Sequence, residues 1–135
     1  MRFFTSDESK MVDVGTGSIW NSVYSTAVIA FSEAIKNSIP DAMIFLKTGC
    51  CCAGKAKETE KQIIAVRNGF LDLSPEKAVY DWRKPKMPAP WLGNISPRVS
   101  SCASLYTTAD GKDLFTEVIS LLRYAAEKNL DISAE

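Results

Sequence analysis

The sequence contains no histidine among its 135 residues. Histidine is the side chain that most often exchanges protons near neutral pH, and it is the commonest protein ligand of metal ions. Its absence excludes Ser-His-Asp and Cys-His catalytic arrangements and removes the usual zinc ligand. An enzyme built from this chain would depend on carboxylates, lysine, tyrosine or a bound nucleotide. The composition therefore favours a protein that binds another protein over an enzyme, and no cofactor is expected.

The chain also lacks an excess of charge of either sign, because 16 lysines and arginines balance 16 aspartates and glutamates. Proteins that bind nucleic acids gain much of their affinity from phosphate contacts and need positive charge on one face. No nucleic-acid partner is therefore expected. The charge is nonetheless uneven, since the middle of the chain is basic and the last third is acidic. The acidic residues of that third are Asp110, Asp113, Glu117, Glu127, Asp131 and Glu135.

Long hydrophobic runs are missing as well. No apolar stretch approaches the roughly 20 residues that a membrane-spanning helix needs. The apolar start of the chain gives way at once to a polar run, so no hydrophobic segment of a secretion signal forms. That run consists of Thr5, Ser6, Asp7 and Glu8. We therefore expect a cytoplasmic protein with no membrane partner.

The spacing of the four cysteines argues against both a disulfide framework and a metal site. Cys50, Cys51 and Cys52 are consecutive, and Cys102 is distant from them in the sequence. Neighbouring cysteines rarely reach disulfide geometry, and a tetrahedral zinc site draws its ligands from spaced positions. We expect free thiols that pack as small apolar side chains, and no bound metal.

A phosphate-binding pattern, G-x-x-x-x-G-K, extends from Gly49 to Lys55. Loops of this type hold phosphates with backbone N–H groups and a lysine, and the Ser or Thr that follows binds Mg²⁺. Ala56 stands at that last position and cannot bind a metal ion. A nucleotide-binding or small hydrolytic domain is an alternative interpretation of this segment. A glycine-bounded turn before a helix is the simpler one.

Hydrophobic periodicity predicts a mixed fold. It indicates three helices, at Ile19–Ser38 with Ser18 as N-cap, at Lys55–Leu71, and from a cap at Asp110 to an end at Asn129. Shorter runs indicate strands at Arg2–Thr5, Met11–Val14, Ala78–Trp82, Ser101–Thr108 and Leu130–Ser133, whereas Ala42–Leu46 fits a strand or a helical turn. These elements predict an α+β (mixed α/β) fold, a single compact domain over residues 1–135 with about three helices packed on a small sheet of short strands.

An aromatic segment rich in proline is one candidate contact surface. Four prolines make Lys84–Pro97 irregular. Trp82 and Trp91 lie beside or within it, and exposed tryptophans on loops are frequent in binding surfaces. Trp91 fits the filling of the core equally well. Asp81 precedes Trp82, and an ion pair with Arg83 explains it without any catalytic role.

A string of spaced residues in the second half of the chain resembles a known family. The pattern comprises Ser74–Asp81 (SPEKAVYD), Ala89–Trp91 (APW), Asn94–Ser96 (NIS) and Tyr106–Phe115 (YTTADGKDLF). It is similar to the immunity protein 70 family of bacterial polymorphic-toxin systems. The resemblance implies a non-enzymatic, cytosolic protein encoded beside a toxin, as in contact-dependent inhibition. Such a protein binds the cognate toxin domain and protects the producing cell. Another adaptor function is the remaining alternative.

The acidic start of the last predicted helix is the second candidate surface. Many toxins of the kind that the resemblance implies attack nucleic acids and carry basic clefts, so an acidic face would speed their capture. Asp110, Asp113 and Glu117 lie there. Capping of the helix explains Asp110 equally simply. The candidate partner contacts from both surfaces are Asp81, Trp82, Trp91, Asp110, Asp113 and Glu117.

Overall fold

The computed structural model describes all 135 residues as three short strands and six α-helices. The strands are β1 (Arg2–Thr5), β2 (Met11–Asp13) and β3 (Ile132–Ala134). The helices are α1 (Gly17–Ala30), α2 (Glu33–Ser38), α3 (Pro40–Thr48), α4 (Ala56–Phe70), α5 (Cys102–Leu105) and α6 (Leu114–Lys128). Single 3₁₀ turns lie at Ala53–Lys55 and Pro75–Lys77. None of the helices is both long and apolar enough to cross a membrane.

The strands form one antiparallel sheet in the order β2-β1-β3, so β1 is central and the other two are edges. Side chains alternate between the two faces of a strand, and Phe3 of β1 is turned towards the helices, where it is fully buried. Its ring lies 4.7 Å from that of Trp20 and 5.5 Å from that of Phe45, measured between centroids. The sheet therefore attaches to α1 and α3 through an aromatic cluster.

Helices α4 and α6 form the other half of the core. Every third or fourth residue of α6 is apolar and buried, which explains why this segment is helical and which face it turns inwards. Those residues are Leu114, Phe115, Val118, Ile119, Leu121, Leu122 and Ala125. Phe70 of α4 meets Phe115 edge to face at 5.4 Å. Asn129 ends α6 in the left-handed conformation (φ 56°), as predicted, and β3 follows.

The α+β class is confirmed, but the prediction of about three helices is wrong, because the structure has six. The helix predicted at Ile19–Ser38 is two helices. The backbone of Phe31 is extended (φ −87°, ψ 141°) and ends α1, and the Ser32 hydroxyl accepts the Ile35 N–H at 3.2 Å to begin α2. The break lets the Phe31 ring pack on Phe70 at 5.7 Å. Pro40 begins α3, so Ala42–Leu46 is helical.

Two predicted strands are also wrong. Ala78–Trp82 is a loop, because side chains of α1 hold its backbone in place of a neighbouring strand. Ser101–Thr108 contains α5, which the Ser101 hydroxyl caps by accepting the Ala103 N–H at 3.2 Å. The predicted caps shift too, since α1 begins after Thr16 and α6 after Asp113. Lys84–Pro97 is irregular, as predicted.

Candidate interaction surface

Two of the predicted site residues, Asp110 and Glu117, line one cavity of about 380 Å³. Glu117 is on the first turn of α6, and Asp110 is on the turn that precedes this helix. Strand β2 forms the opposite wall with Met11, Val12 and Asp13. The structure thus brings residues from the start of the chain beside the acidic residues of its last third.

A second cavity of about 390 Å³ continues the first along α6. The two cavities share Met11, Val12 and Glu117, so they form one groove between the edge of β2 and the helix, here called the β2–α6 groove. Its helical wall consists of residues at positions three or four apart, which lie on one side of a helix. They are Glu117, Ser120, Tyr124 and Glu127, and Leu121 and Arg123 beside them also line this wall.

Ion pairs and hydrogen bonds fix the carboxylates at the Asp110 end of this groove. The ammonium group of Lys112 lies between Asp110, at 3.5 Å, and Glu117, at 3.9 Å. The hydroxyl of Thr108 donates to the Asp110 carboxylate. That hydrogen bond, together with the nearby charge of Lys112, lowers the pKa of Asp110. A hydrogen bond from the Gly15 N–H lowers the pKa of Asp13 in the same way. Both groups are therefore carboxylates at neutral pH.

The carboxylate of Asp113 is engaged within the chain, at the start of α6. Its carboxylate accepts the Thr116 N–H at 3.0 Å and the Thr116 hydroxyl at 2.7 Å. Asp113 is thus the N-cap of α6, the role that the sequence suggested for Asp110. Its negative charge also lies at the positive end of the helix dipole. The structure therefore gives Asp113 a role in holding the helix that carries Glu117.

Asp81 and Trp82 lie on a separate surface, at the side of α1. The Trp82 N–H donates to the Ser25 hydroxyl at 2.9 Å, which ties this loop to the helix. Asp81 accepts the side-chain N–H of Arg83 at 3.0 Å, and that bond lowers the pKa of Asp81. The Arg83 guanidinium also lies 6.0 Å from the Trp82 ring. Trp82 is 41% exposed.

Trp91 both fills the core and forms part of a surface. Its ring is half-buried and meets Tyr80 at 5.7 Å and Tyr106 at 6.2 Å, edge to face in each case. It also lines a mostly apolar cavity of about 330 Å³. Thr107 lines this cavity, and its neighbour Thr108 lines the β2–α6 groove. The two surfaces are therefore joined by one segment of backbone.

A buried polar network holds the aromatic loop on α1. The Tyr106 hydroxyl lies 2.9 Å from that of Ser22 and 3.0 Å from that of Thr26, one helical turn further on. Ser22 donates to the Val79 carbonyl at 2.7 Å, and the Val79 N–H donates to Thr26 at 2.9 Å. Burial raises the pKa of Tyr106 to about 12. These residues were not predicted, although hydroxyl groups at helical spacing within the apolar α1 are the signal of such a network.

The Gly49–Lys55 segment does not have the surroundings of a phosphate-binding loop. A helix leads into it, and Gly49 is the left-handed cap of α3 (φ 73°). Cys51 then bonds both its backbone groups to Ile132 of β3, at 2.9 and 2.8 Å. The Asp131 carboxylate already accepts the Ala53 N–H at 2.7 Å. This geometry fits the simpler interpretation, a turn between two helices.

The cysteines are free thiols, as predicted. Cys51 and Cys102 are buried, whereas Cys50 and Cys52 are exposed. Burial raises the pKa of Cys51 and raises that of Cys102 to about 11. The buried pair therefore packs as small apolar residues, and neither thiol of that pair has the lowered pKa of a reactive nucleophile.

A model of the family described as immunity protein 70 matches residues 3–134 of this chain. The match covers nearly the whole chain, including the strands at both ends and the segments of the second half in which the sequence pattern lies. No curated protein and no solved structure matches the chain significantly.

Proposed function

Because the chain belongs to the immunity protein 70 family, we propose that it binds the cognate toxin domain of a bacterial polymorphic-toxin system and blocks it. The family match is the observation that carries this proposal. The protein acts by binding, without catalysis, in the cytoplasm of the cell that makes the toxin. The partner is the variable C-terminal domain of a large secreted protein encoded by a neighbouring gene.

The surface of the chain is suited to such an interaction. A protein complex of standard size buries about 800 Å² on each partner, which is about a tenth of the 7421 Å² of accessible surface of this chain. The β2–α6 groove offers carboxylates, the loop surface that carries Trp82 offers an exposed tryptophan, and the surface at Trp91 offers an apolar cavity. Aromatic anchors surrounded by polar groups are typical of surfaces that bind proteins tightly.

Of the two surfaces, we assign the first contact with the toxin to the β2–α6 groove. Its Asp110 end holds three carboxylates, from Asp13, Asp110 and Glu117. Arg2 pairs with Asp13 at 3.5 Å and Lys112 lies between the other two, so one negative charge is left unbalanced. Such a grouping attracts a basic partner and speeds encounter at low ionic strength. The loop surface that carries Trp82 supplies apolar area after docking.

Co-expression tests the proposed function directly. Production of the neighbouring toxin domain alone should stop growth, and growth should return when this chain is made in the same cell. If the cells die with this chain present at normal levels, the proposal is wrong. Purified toxin domain and purified chain should also form a complex in size-exclusion chromatography.

A charge-matched pair of variants tests the choice of surface. The double variant Asp110→Asn/Glu117→Gln should lower the association rate about tenfold at low salt, with a smaller effect at high salt. The control, Glu33→Gln/Glu76→Gln, removes two exposed carboxylates that lie outside the groove, and should leave the rate nearly unchanged. Equal rates for both variants would exclude the groove as the first contact.

A further inference from the structure

The outer edge of β2 is unpaired except at one carbonyl group. The Val14 N–H, just after β2, donates to the Met1 carbonyl across the ladder at 3.0 Å. Hydrogen bonds along an antiparallel pair alternate, so every second residue turns its backbone groups away from the partner strand. Arg2 pairs with Asp13 and Phe4 pairs with Met11 in this register. The backbone groups of Met11 and Asp13 therefore point away from β1.

Most of these outward groups have no partner within the chain. The Asp13 carbonyl accepts the Ala109 N–H at 2.9 Å. The N–H and carbonyl groups of Met11 and the N–H of Asp13 make no hydrogen bond to a side chain or to a loop. Met11 is also 50% exposed. An open strand edge of this kind is a template on which another extended chain can pair.

The β2–α6 groove provides room beside this edge. An added strand lies about 4.8 Å from its neighbour and advances about 3.3 Å per residue. The helical wall from Glu117 to Glu127 rises about 15 Å, at about 1.5 Å per residue. The groove is therefore long enough for an extended segment of about four residues. Its two cavities, of about 380 and 390 Å³, lie directly along β2.

The charges around the groove favour a basic segment. Lys112 is the ammonium group between Asp110 and Glu117, so two carboxylates share one positive charge. Arg123 is engaged with Glu60 of α4 at 3.0 Å, and Arg2 is engaged with Asp13 at 3.5 Å. At the other end of the groove Lys10, which lies over the Tyr124 ring, balances the charge of Glu127. The Asp110 end thus keeps unbalanced negative charge beside the unpaired backbone of β2, where a lysine or arginine of an added strand would be placed.

We propose that the edge of β2 receives an extended, basic segment of the toxin domain, which adds to the sheet as a fourth strand. This inference rests on the proposed function and specifies how the partner is held. Backbone hydrogen bonds to the N–H and carbonyl of Met11 and to the Asp13 N–H supply affinity, and the carboxylates of Asp110 and Glu117 select basic side chains.

Proline at position 11 tests the inference with little effect on the sheet itself. The Met11 N–H has no partner in the free protein, so Met11→Pro removes an outward donor without breaking a bond to β1. Met11→Pro should weaken binding of the purified toxin domain by about tenfold or more, because the pairing bonds and the close approach are lost together. Met11→Ala keeps the N–H and should bind within about threefold of the parent.

A matched control places the same residue at the other edge of the sheet. Ala134 of β3 also turns its N–H away from β1, since its neighbour Glu135 is the residue that exchanges hydrogen bonds with Arg2. Ala134→Pro should therefore bind the toxin domain as the parent does. Equal loss of binding in Ala134→Pro and Met11→Pro would overturn the assignment to β2.

Amide hydrogen exchange provides a measurement that needs no variant, and it decides the question if Met11→Pro fails to fold. The amides of Met11 and Asp13 should exchange at least about tenfold more slowly in the complex than in the free protein. Unchanged exchange in the complex overturns the inference. So does a free protein that is a dimer with these amides already protected.

The outcomes separate this inference from the proposed function. If the parent binds and neutralises the toxin domain and Met11→Pro does so equally well, the strand addition is wrong and the function stands. If the parent does not bind the toxin domain at all, both are wrong.

Discussion

Removal of the Tyr106 hydroxyl should destabilise the protein through the network that holds the aromatic loop on α1. In Tyr106→Phe, the ring keeps its place beside Phe70, at 6.5 Å, and beside Trp91. The variant loses only the two hydroxyl contacts, to Ser22 at 2.9 Å and to Thr26 at 3.0 Å. The change therefore isolates the polar contribution of Tyr106 from its packing.

The expected size of the effect follows from what the two partners retain. Ser22 still donates to the Val79 carbonyl, and Thr26 still accepts the Val79 N–H. The Thr26 hydroxyl also still donates to the Val79 carbonyl, at 3.4 Å, so neither hydroxyl is left without a partner. Two neutral hydrogen bonds are then lost, at a net cost of about 1–2 kcal/mol. For a chain of 135 residues, this corresponds to a decrease of about 4–7 °C in Tm.

The pH dependence gives a second, independent signature. The pKa of Tyr106 is raised from 10.0 to about 12 by burial, so the folded state keeps the proton at a pH where the unfolded chain has lost it. Stability from this group is complete below pH 10 and decreases as the pH rises from 10 to about 12. The loss amounts to about 2–3 kcal/mol. Tyr106→Phe should lack this component.

Urea denaturation of the two proteins at neutral and alkaline pH measures both effects. Tyr24→Phe is the control, because Tyr24 is half-buried on α1 and its hydroxyl makes no hydrogen bond. It should change the free energy of unfolding by less than about 0.5 kcal/mol. If Tyr106→Phe is as stable as Tyr24→Phe, or if it loses as much stability as the parent between neutral and strongly alkaline pH, the reasoning is refuted.

Other features of the structure give further predictions. Asp113→Ala should lower the free energy of unfolding by about 1 kcal/mol, through loss of the α6 N-cap, whereas Asp110→Ala should cost less; equal costs in thermal denaturation would contradict the assignment of the cap. Gly49→Ala should lower the free energy of unfolding by at least about 1 kcal/mol, because the backbone there has a positive φ and the added Cβ would lie 2.7 Å from the Cβ of Ala134. Gly54→Ala, where a Cβ meets nothing within 4 Å, serves as its control. Thiol titration should find fast reaction only at the two exposed cysteines, and rapid labelling of all four in the folded protein would disprove the burial of the others. The exposed pair is Cys50 and Cys52, and the buried pair is Cys51 and Cys102.

Elements with a local signal could be predicted from the sequence. The apolar stripes of α4 and α6 recur at helical spacing and face the core, so these helices were predicted within a few residues of their bounds. The sequence also predicted the three strands of the sheet, two at the start of the chain and one at its end. A long amphipathic segment carries its own evidence, because the period of its apolar residues reports the face that is buried.

Elements decided by distant contacts could not be predicted in this way. The apolar run around Val79 has the composition of a strand, but its backbone is bonded to hydroxyl groups of α1 and not to a neighbouring strand. Nothing within that run indicates this. The split between α1 and α2 at Phe31 similarly involves a distant contact, because the Phe31 ring packs on Phe70, which lies 39 residues later in the chain.

The same distinction explains why the family was recognisable and the contact surface was not. Many residues of the pattern in the second half hold the scaffold: Val79 and Tyr106 form the buried network, Asp113 caps α6, and Leu114 and Phe115 fill the core. A pattern made of such residues reports a fold. The groove assigned to the toxin is formed where β2, from the start of the chain, meets α6. The unpaired backbone groups of this groove belong to residues outside the pattern. The amino-acid types at those positions do not show whether their backbone groups are paired. The assignment of the groove therefore predicts that immunity proteins of the same scaffold differ in their toxins through the side chains that line it, while the family pattern stays readable.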